Sequence, residues 1–345
     1  MSHKLSTYRV FAAVFLFLNA GSINTGLEPM GKATWLGCLA SAVIAAIIVP
    51  LMVKVCRGGI EQNRGVRGAA SVMLAAAVLS GGVLLGQFRI FVTTYNELVP
   101  SPSLVVLVVG AAALYLSCLR GHGLWRYCEA AFAAVIFLLA VSLFIGIHEI
   151  DTMRLLPLWQ GEGGRGIADV LKVYGSFFAD IFAVLYVLAG SSDDRELIAG
   201  ARWGIAADGL VMALFRVKCI GIIGYVTARR YAFPVYALSG LQRIGSYGIH
   251  IEDVITCALA VARIVKLAVI IKFCTSCFEA VSGRKHAKQL LNTAAATLIV
   301  LFAVFVIGSD IVMDLWLNRV WIFETAAFVV LPFGAYHWIK RNGRA

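Results

Sequence analysis

Along this chain, apolar runs of membrane-crossing length alternate with short polar connections, and the alternation repeats ten times. The runs cover Tyr8 to Leu27, Trp35 to Val53, Ala69 to Tyr95, Leu104 to Leu119, Tyr127 to Ile147, Ile167 to Gly190, Trp203 to Thr227, Ile251 to Cys277, Leu290 to Ile307 and Val320 to Ile339. About 20 apolar residues cross the hydrocarbon core as a helix, which satisfies its own backbone hydrogen bonds where no water can. The pattern predicts an all-α polytopic membrane protein with ten transmembrane helices, a single integral membrane domain over residues 1–345. Composition agrees: apolar residues make up 60%, charged residues 14%, and the mean hydropathy is +0.86, so no soluble domain of ordinary size is expected.

A formal charge of +11 would mark a nucleic-acid surface on a soluble protein. Its distribution assigns it another role. With the N-terminus inside, Lys4, Arg57, Arg120, Arg195, Arg284 and Lys340 all fall on the inner side, and the outer loops carry about half as many cations as that side. That bias places both termini in the cytoplasm and requires an even number of spans. No Lys/Arg run is left to serve a nucleic-acid partner. Residues 1–20 imitate a signal peptide, but Leu18 and Ala20 do not form the small-x-small cleavage pattern, so the run reads as span one.

Motifs that would carry catalysis or metal binding lack their context. Cys274 and Cys277 have metal-site spacing, yet they stand at the end of a membrane helix without a second pair, and read as packing residues. The stretch from Gly161 to Gly166 fits G-x-G-x-x-G with no strand before it and no βαβ unit around it. His148-Glu149 lacks the second histidine of a zinc motif. The expectation is a non-enzyme with no cofactor and no metal.

Ionisable residues inside the spans are more informative: Arg89, Asp180, Arg216, Lys218, Arg263 and Lys266, five cations against one acid. Each costs about 2.5–3.5 kcal/mol near the bilayer centre on insertion scales. They either lie near the interface and pair with backbone carbonyls, or line a polar cavity. Span eight favours the cavity, because Glu252, Thr256, Arg263 and Lys266 fall at roughly 0°, 40°, 20° and −40° around the helix, on one narrow face. Spans one and six are each interrupted by small polar residues, at Asn19-Ala-Gly21-Ser22 through Thr25 and at Tyr174-Gly175-Ser176. Paired interruptions in two halves of a transporter point to inverted repeats whose broken helices bind a ligand near mid-membrane. The expected substrate-binding set is therefore Gly21, Ser22, Thr25, Gly175, Ser176, Asp180, Thr256, Arg263 and Lys266.

From Phe233 to Lys266 the chain reads FPVYALSGLQRIGSYGIHIEDVITCALAVARIVK. This stretch resembles the signature of the spore germination permease family, the B subunits of germinant receptors. Shorter matches follow the family's order: Lys4-Leu-Ser6 and Gly21-Ser22 at the start, Gly31 to Trp35 before span two, Gly123 to Glu129 before span five, Leu155-Leu-Pro157 before span six, and Leu331-Pro332 ahead of a basic tail. His250 stands where the family has the Arg of an Arg-x-Glu, which marks a divergent member.

The resemblance implies the architecture of amino acid, polyamine and organocation transporters, with two inverted five-helix repeats (approximately 5–150 and 165–345) and discontinuous helices 1 and 6. It implies a nutrient ligand, an amino acid in the first instance, bound between those helices. It also implies A and C receptor subunits as partners in the spore inner membrane. The resulting expectation is a nutrient-sensing receptor subunit. A secondary amino acid transporter is the alternative, and a scaffold for partner membrane proteins would have no ligand pocket.

Overall fold

A computed structural model describes residues 4–22, 33–57, 67–95, 101–119, 122–156, 165–228, 230–231, 233–241, 251–282, 288–307 and 321–342. The helices are α1 (Thr7–Ser22), α2 (Thr34–Arg57), α3 (Arg67–Tyr95), α4 (Pro102–Cys118), α5 (Gly123–Phe144), α6 (Arg165–Phe177), α7 (Ile181–Ala189), α8 (Asp194–Ile223), α9 (Tyr225–Ala228), α10 (Pro234–Leu241), α11 (Ile251–Ser282), α12 (Lys288–Phe305) and α13 (Leu331–Asn342). Each of the ten apolar runs coincides with one or two of them.

Among the described residues five helices, α2, α3, α5, α11 and α12, are long and apolar enough to cross a bilayer, and α6 with α7 forms a sixth candidate, bent by 44° at its break. The shorter α1 and α4 are also apolar. Helix α8 has ample length at 30 residues but carries Asp208, Arg216 and Lys218 inside it. The last stretch, 321–342, widens into a π-helical turn at Ala326–Val330 before α13. Local chemistry sets several ends. Pro102 opens α4, where a missing N–H costs nothing. Asp194 and Glu196 sit in the first turn of α8, against its positive dipole end. Gly224, with φ 77°, closes the same helix in a conformation that only glycine adopts freely.

The helices sort into two bodies. Helices α1, α2, α6, α7 and α8 pack on one another, α3, α4, α11 and α12 form a second group, and α5 bridges α1 and α11. Within the first body α8 lies very close to α1 and α2. A Cβ on Gly200 would sit 2.6 Å from the Thr7 carbonyl oxygen, one on Gly204 2.9 Å from the Val14 Cβ, and one on Gly209 2.4 Å from the Ala42 Cβ. Lipid supplies no hydrophobic drive between helices, so this small-residue contact, with its dispersion energy, is what holds them together.

At one end of the bundle the N-terminal segment is tied to the α7–α8 turn. Leu5 N donates to the Ser191 carbonyl, Lys4 pairs with Asp193 at 2.7 Å, and Arg57 at the end of α2 pairs with Asp194 at 2.8 Å. Being exposed, such pairs contribute little each. They do show that the basic ends of α1, α2 and the α7–α8 turn share one face, the basic end of the bundle.

Candidate functional site

The intramembrane charges are all accounted for by partners that local sequence could not name. Arg89 donates to the Ile307 carbonyl at 2.8 Å, and Lys218 donates to the Ser142 carbonyl at 2.5 Å. Arg216 hydrogen-bonds the Cys38 thiol, which also faces Asp208, and Asp208 accepts from Asn19 of α1 at 3.3 Å. Asp208 is fully buried, so the expectation of Asp180 as the lone intramembrane acid is corrected. A third acid, Glu324, is buried in the helical stretch before the π turn. Both follow from the criterion that singled out Asp180: each is an acid flanked by apolar and small residues within an apolar run.

The remaining two cations build the site. Arg263 and Lys266, one turn apart on α11, both reach across the boundary between the two bodies to the end of α1. Arg263 Nε donates to the Ala20 carbonyl at 3.1 Å, and its guanidinium lies 4.8 Å from the Phe88 ring centroid. Lys266 Nζ meets Asp180 Oδ2 at 2.6 Å and stands 4.7 Å from the Phe17 ring centroid. A Cβ on Gly21 would lie 3.6 Å from the same ammonium, so a larger residue there would press on it. Carboxylate and aromatic faces thus replace the water that these cations lose on burial.

Asp180 owes its position to the break in span six. Helix α6 ends at Phe177, α7 begins at Ile181, and Asp180 is the N-cap residue of α7. The interruption expected at Gly175-Ser176 therefore lies a few residues further along, at 178–180. Gly175 serves packing instead. A Cβ there would come within 2.6 Å of Thr325 Oγ1 and 3.1 Å of the Trp321 carbonyl oxygen. Its small size lets 321–325 lie flat on α6, and Ser176 is exposed on the other side.

That close contact carries Glu324 inward. Its carboxyl makes a hydrogen bond with Ser80 of α3 and faces both Asp180 and Lys266. The structure thus unites Gly21, Asp180, Arg263 and Lys266, adds Glu324, and leaves Ser176 outside. Thr256 is half-buried two turns before Arg263, Thr25 lies outside the described residues, and so does the side chain of Ser22. Two atoms of the cluster, Arg263 Nη1 and Asp180 Oδ1, are buried without a hydrogen-bond partner among the described residues. No group of three or more His, Cys, Asp or Glu able to hold a metal occurs among them.

Toward the basic end the cluster is closed by aromatic rings. Tyr186 and Phe273 meet edge to face at 5.5 Å between centroids, Phe182 lies 6.3 Å from Phe273, and Phe328 lies 6.0 Å from it. Beyond this layer a cavity of about 870 Å³ opens, lined among others by Arg57, Tyr186, Lys272, Glu279, Lys288 and Asn292. Thr275 Oγ1 donates to Asn292 Oδ1 at 2.6 Å, and Asn292 Nδ2 donates to the Ser117 carbonyl at 3.3 Å, which ties α11, α12 and α4 together at the cavity wall.

No protein-family model matches the chain, and no curated protein matches it in sequence. Solved structures do match. A Na+-coupled sialic acid symporter in a substrate-bound outward-open state aligns with TM-score 0.65 at 10% identity, covering 95% of this chain and 80% of its own. Mhp1, a nucleobase-cation-symport-1 family transporter closed around bromovinylhydantoin, aligns with TM-score 0.68 at 11% identity, covering 95% and 79%. A mutant of the manganese transporter of Eremococcus coleocola aligns with TM-score 0.61 at 14% identity, covering 94% and 78%. Identities this low bear on fold, and the fold they establish is a polytopic all-α membrane protein with inverted repeats, as in those secondary transporters.

Proposed function

We propose that this chain binds an amino acid between the end of α1, the α6–α7 break and the charged face of α11, and that it does so as the nutrient-sensing subunit of a spore germinant receptor. The observation that carries the ligand class is the buried cluster of Arg263, Lys266, Asp180 and Glu324, two cations and two acids at a pair of helix ends. Such a cluster complements a zwitterion. A sugar offers no charge to either sign, and a bare cation leaves Arg263 Nη1 unmatched. Gly21 keeps the end of α1 open to the ligand, with Ser22, Thr25 and Thr256 as the neighbouring polar contacts.

In this reading the two repeats run approximately over 5–150 and 165–345, and both termini face the cytoplasm. The basic end is then the cytoplasmic end, following the charge bias. The sensing role, with A and C subunits in the spore inner membrane, rests on the sequence resemblance between Phe233 and Lys266. A secondary amino acid transporter is the second reading. It is favoured by the cavity at the basic end, which gives a released ligand an aqueous way out once the Tyr186–Phe273 layer parts.

Purified protein in detergent tests the ligand class by thermal shift against L-amino acids, sugars, and the chloride salts of sodium and potassium. The expected result is stabilisation by one or more amino acids, lost in Arg263→Gln. Stabilisation by sugars alone, or an unchanged amino acid response in Arg263→Gln, defeats the assignment. Accumulation of the stabilising amino acid in proteoliposomes that contain this chain alone would favour the transporter over the receptor.

A further inference from the structure

We propose that Glu324, beside the unpartnered Oδ1 of Asp180, accepts the ligand's ammonium group, and so restricts the site to carboxylates that also carry an amine. This rests on the amino acid reading of the site and deepens it. Half of the cluster's charge is already compensated internally. Lys266 and Asp180 are bound to each other at 2.6 Å, both with side chains less than a tenth exposed. Lys266 has the partner that burial demands, while Asp180 spends Oδ2 on it and keeps Oδ1 buried without a hydrogen-bond partner among the described residues.

Arg263 and Glu324 differ. Arg263 uses Nε on the Ala20 carbonyl and keeps Nη1 buried without a partner among the described residues. Glu324 is 8% exposed, and its hydrogen bond goes to the Ser80 hydroxyl. The cation that faces it, Lys266, is already in contact with Asp180. A buried carboxylate whose hydrogen bond among the described residues goes to a hydroxyl is costly, and a ligand ammonium removes that cost. The complement left over by the internal pair is therefore a donor at Arg263 Nη1 and acceptors at Glu324 and at Asp180 Oδ1, which Glu324 faces. An amino acid supplies the matching carboxylate and ammonium.

The backbone around Glu324 is built to present it. Trp321 and Thr325, three residues before and one after, rest on Gly175 of α6. The π turn begins two residues later, at Ala326. A π turn inserts an extra residue into the ladder and rotates the facing of the residues beyond it, a feature that recurs at functional sites. Here it lets Trp321 and Thr325 face α6 while Phe328 joins the aromatic layer beside Phe273.

The test separates the amine from the carboxylate. Binding to the purified full chain is measured for L-alanine against propanoate, L-valine against isovalerate and L-phenylalanine against hydrocinnamate, each pair differing only by the ammonium, and then for the other standard amino acids with their desamino acids. Wild type is expected to prefer the amino acid. Glu324→Gln is expected to weaken amino acid binding on the order of ten- to a hundredfold, the loss of one charge-assisted hydrogen bond, and to leave the desamino acid unchanged. Equal loss for both members of a pair would show a structural role and overturn the proposal, as would no loss for either. If Glu324→Gln does not fold, Glu324→Asp and Ser80→Ala are measured on the same pairs, and a wild-type protein that fails to discriminate within pairs overturns the proposal without any variant. Binding of the carboxylates without discrimination strikes this inference alone, whereas binding of neither class removes the amino acid reading and this inference with it.

Discussion

Replacing Lys266 with Met keeps most of the side-chain stem against Phe17 and removes the ammonium that compensates Asp180. Burial sets the magnitude. An exposed ion pair contributes about 0–1 kcal/mol, but side-chain exposures of 6% and 7% place this one in the buried class, where stranding one partner costs about 3–5 kcal/mol. The double variant Lys266→Met/Asp180→Asn strands neither charge and is expected to recover most of that loss. Unfolding in mixed micelles of rising SDS content, followed by tryptophan fluorescence, gives the four stabilities needed for a double-mutant cycle. A loss below about 1 kcal/mol in Lys266→Met would overturn this prediction, because the pair would then behave as a solvated one. So would a double variant no more stable than the single.

Close helix contact makes a second prediction: Gly200→Val, which would drive a side chain into Thr7 and Val10, should unfold at markedly lower temperature than Gly240→Val, where nothing lies within 4 Å, and equal melting would contradict the packing of α1 on α8. Gly175→Leu should likewise destabilise the fold by displacing 321–325 from α6, whereas Gly21→Leu, crowding the Lys266 ammonium, should spare folding more and abolish ligand binding; the reverse order of effects would reassign both glycines. Broken-helix carbonyls are the usual acceptors for a coupling cation, and Arg263 already occupies the Ala20 carbonyl, so ligand-induced stabilisation should be the same in sodium and in choline buffers. A strict requirement for sodium would count against the placement of Arg263. Cys118, at the cavity wall, should react with a membrane-impermeant maleimide added from the cytoplasmic side of oriented vesicles, and labelling from the opposite side alone would invert the topology.

The helical architecture was readable because it depends on the length and polarity of each run, which are local properties. The same holds for the face shared by Arg263 and Lys266, a direct consequence of 3.6 residues per turn. What these cations touch is non-local. The Ala20 carbonyl lies 243 residues away in the chain, and nothing in span eight names it. The break in span six shows a different difficulty. Glycine marks both interruptions and close helix contacts, and Gly175 turned out to be a contact with Trp321 and Thr325, while the chain breaks at Phe178-Ala179-Asp180 without glycine or proline. Asp208 and Glu324 were legible by the rule that an acid within an apolar run is costly, and a full inventory of the spans would have found them. That Glu324 points toward Lys266 was not, since it depends on 321–325 lying against α6.

Whether an amino acid sits against Arg263, between the end of α1 and the α6–α7 break, is decided by the structure of the full chain with the most stabilising amino acid bound. Ligand density is expected within hydrogen-bonding distance of Arg263 Nη1, with the ammonium turned toward Glu324 beside Asp180 Oδ1 and the Lys266–Asp180 contact still made. Density confined to the cavity at the basic end, beside Lys272 and Lys288 with Arg263 untouched, would contradict this placement.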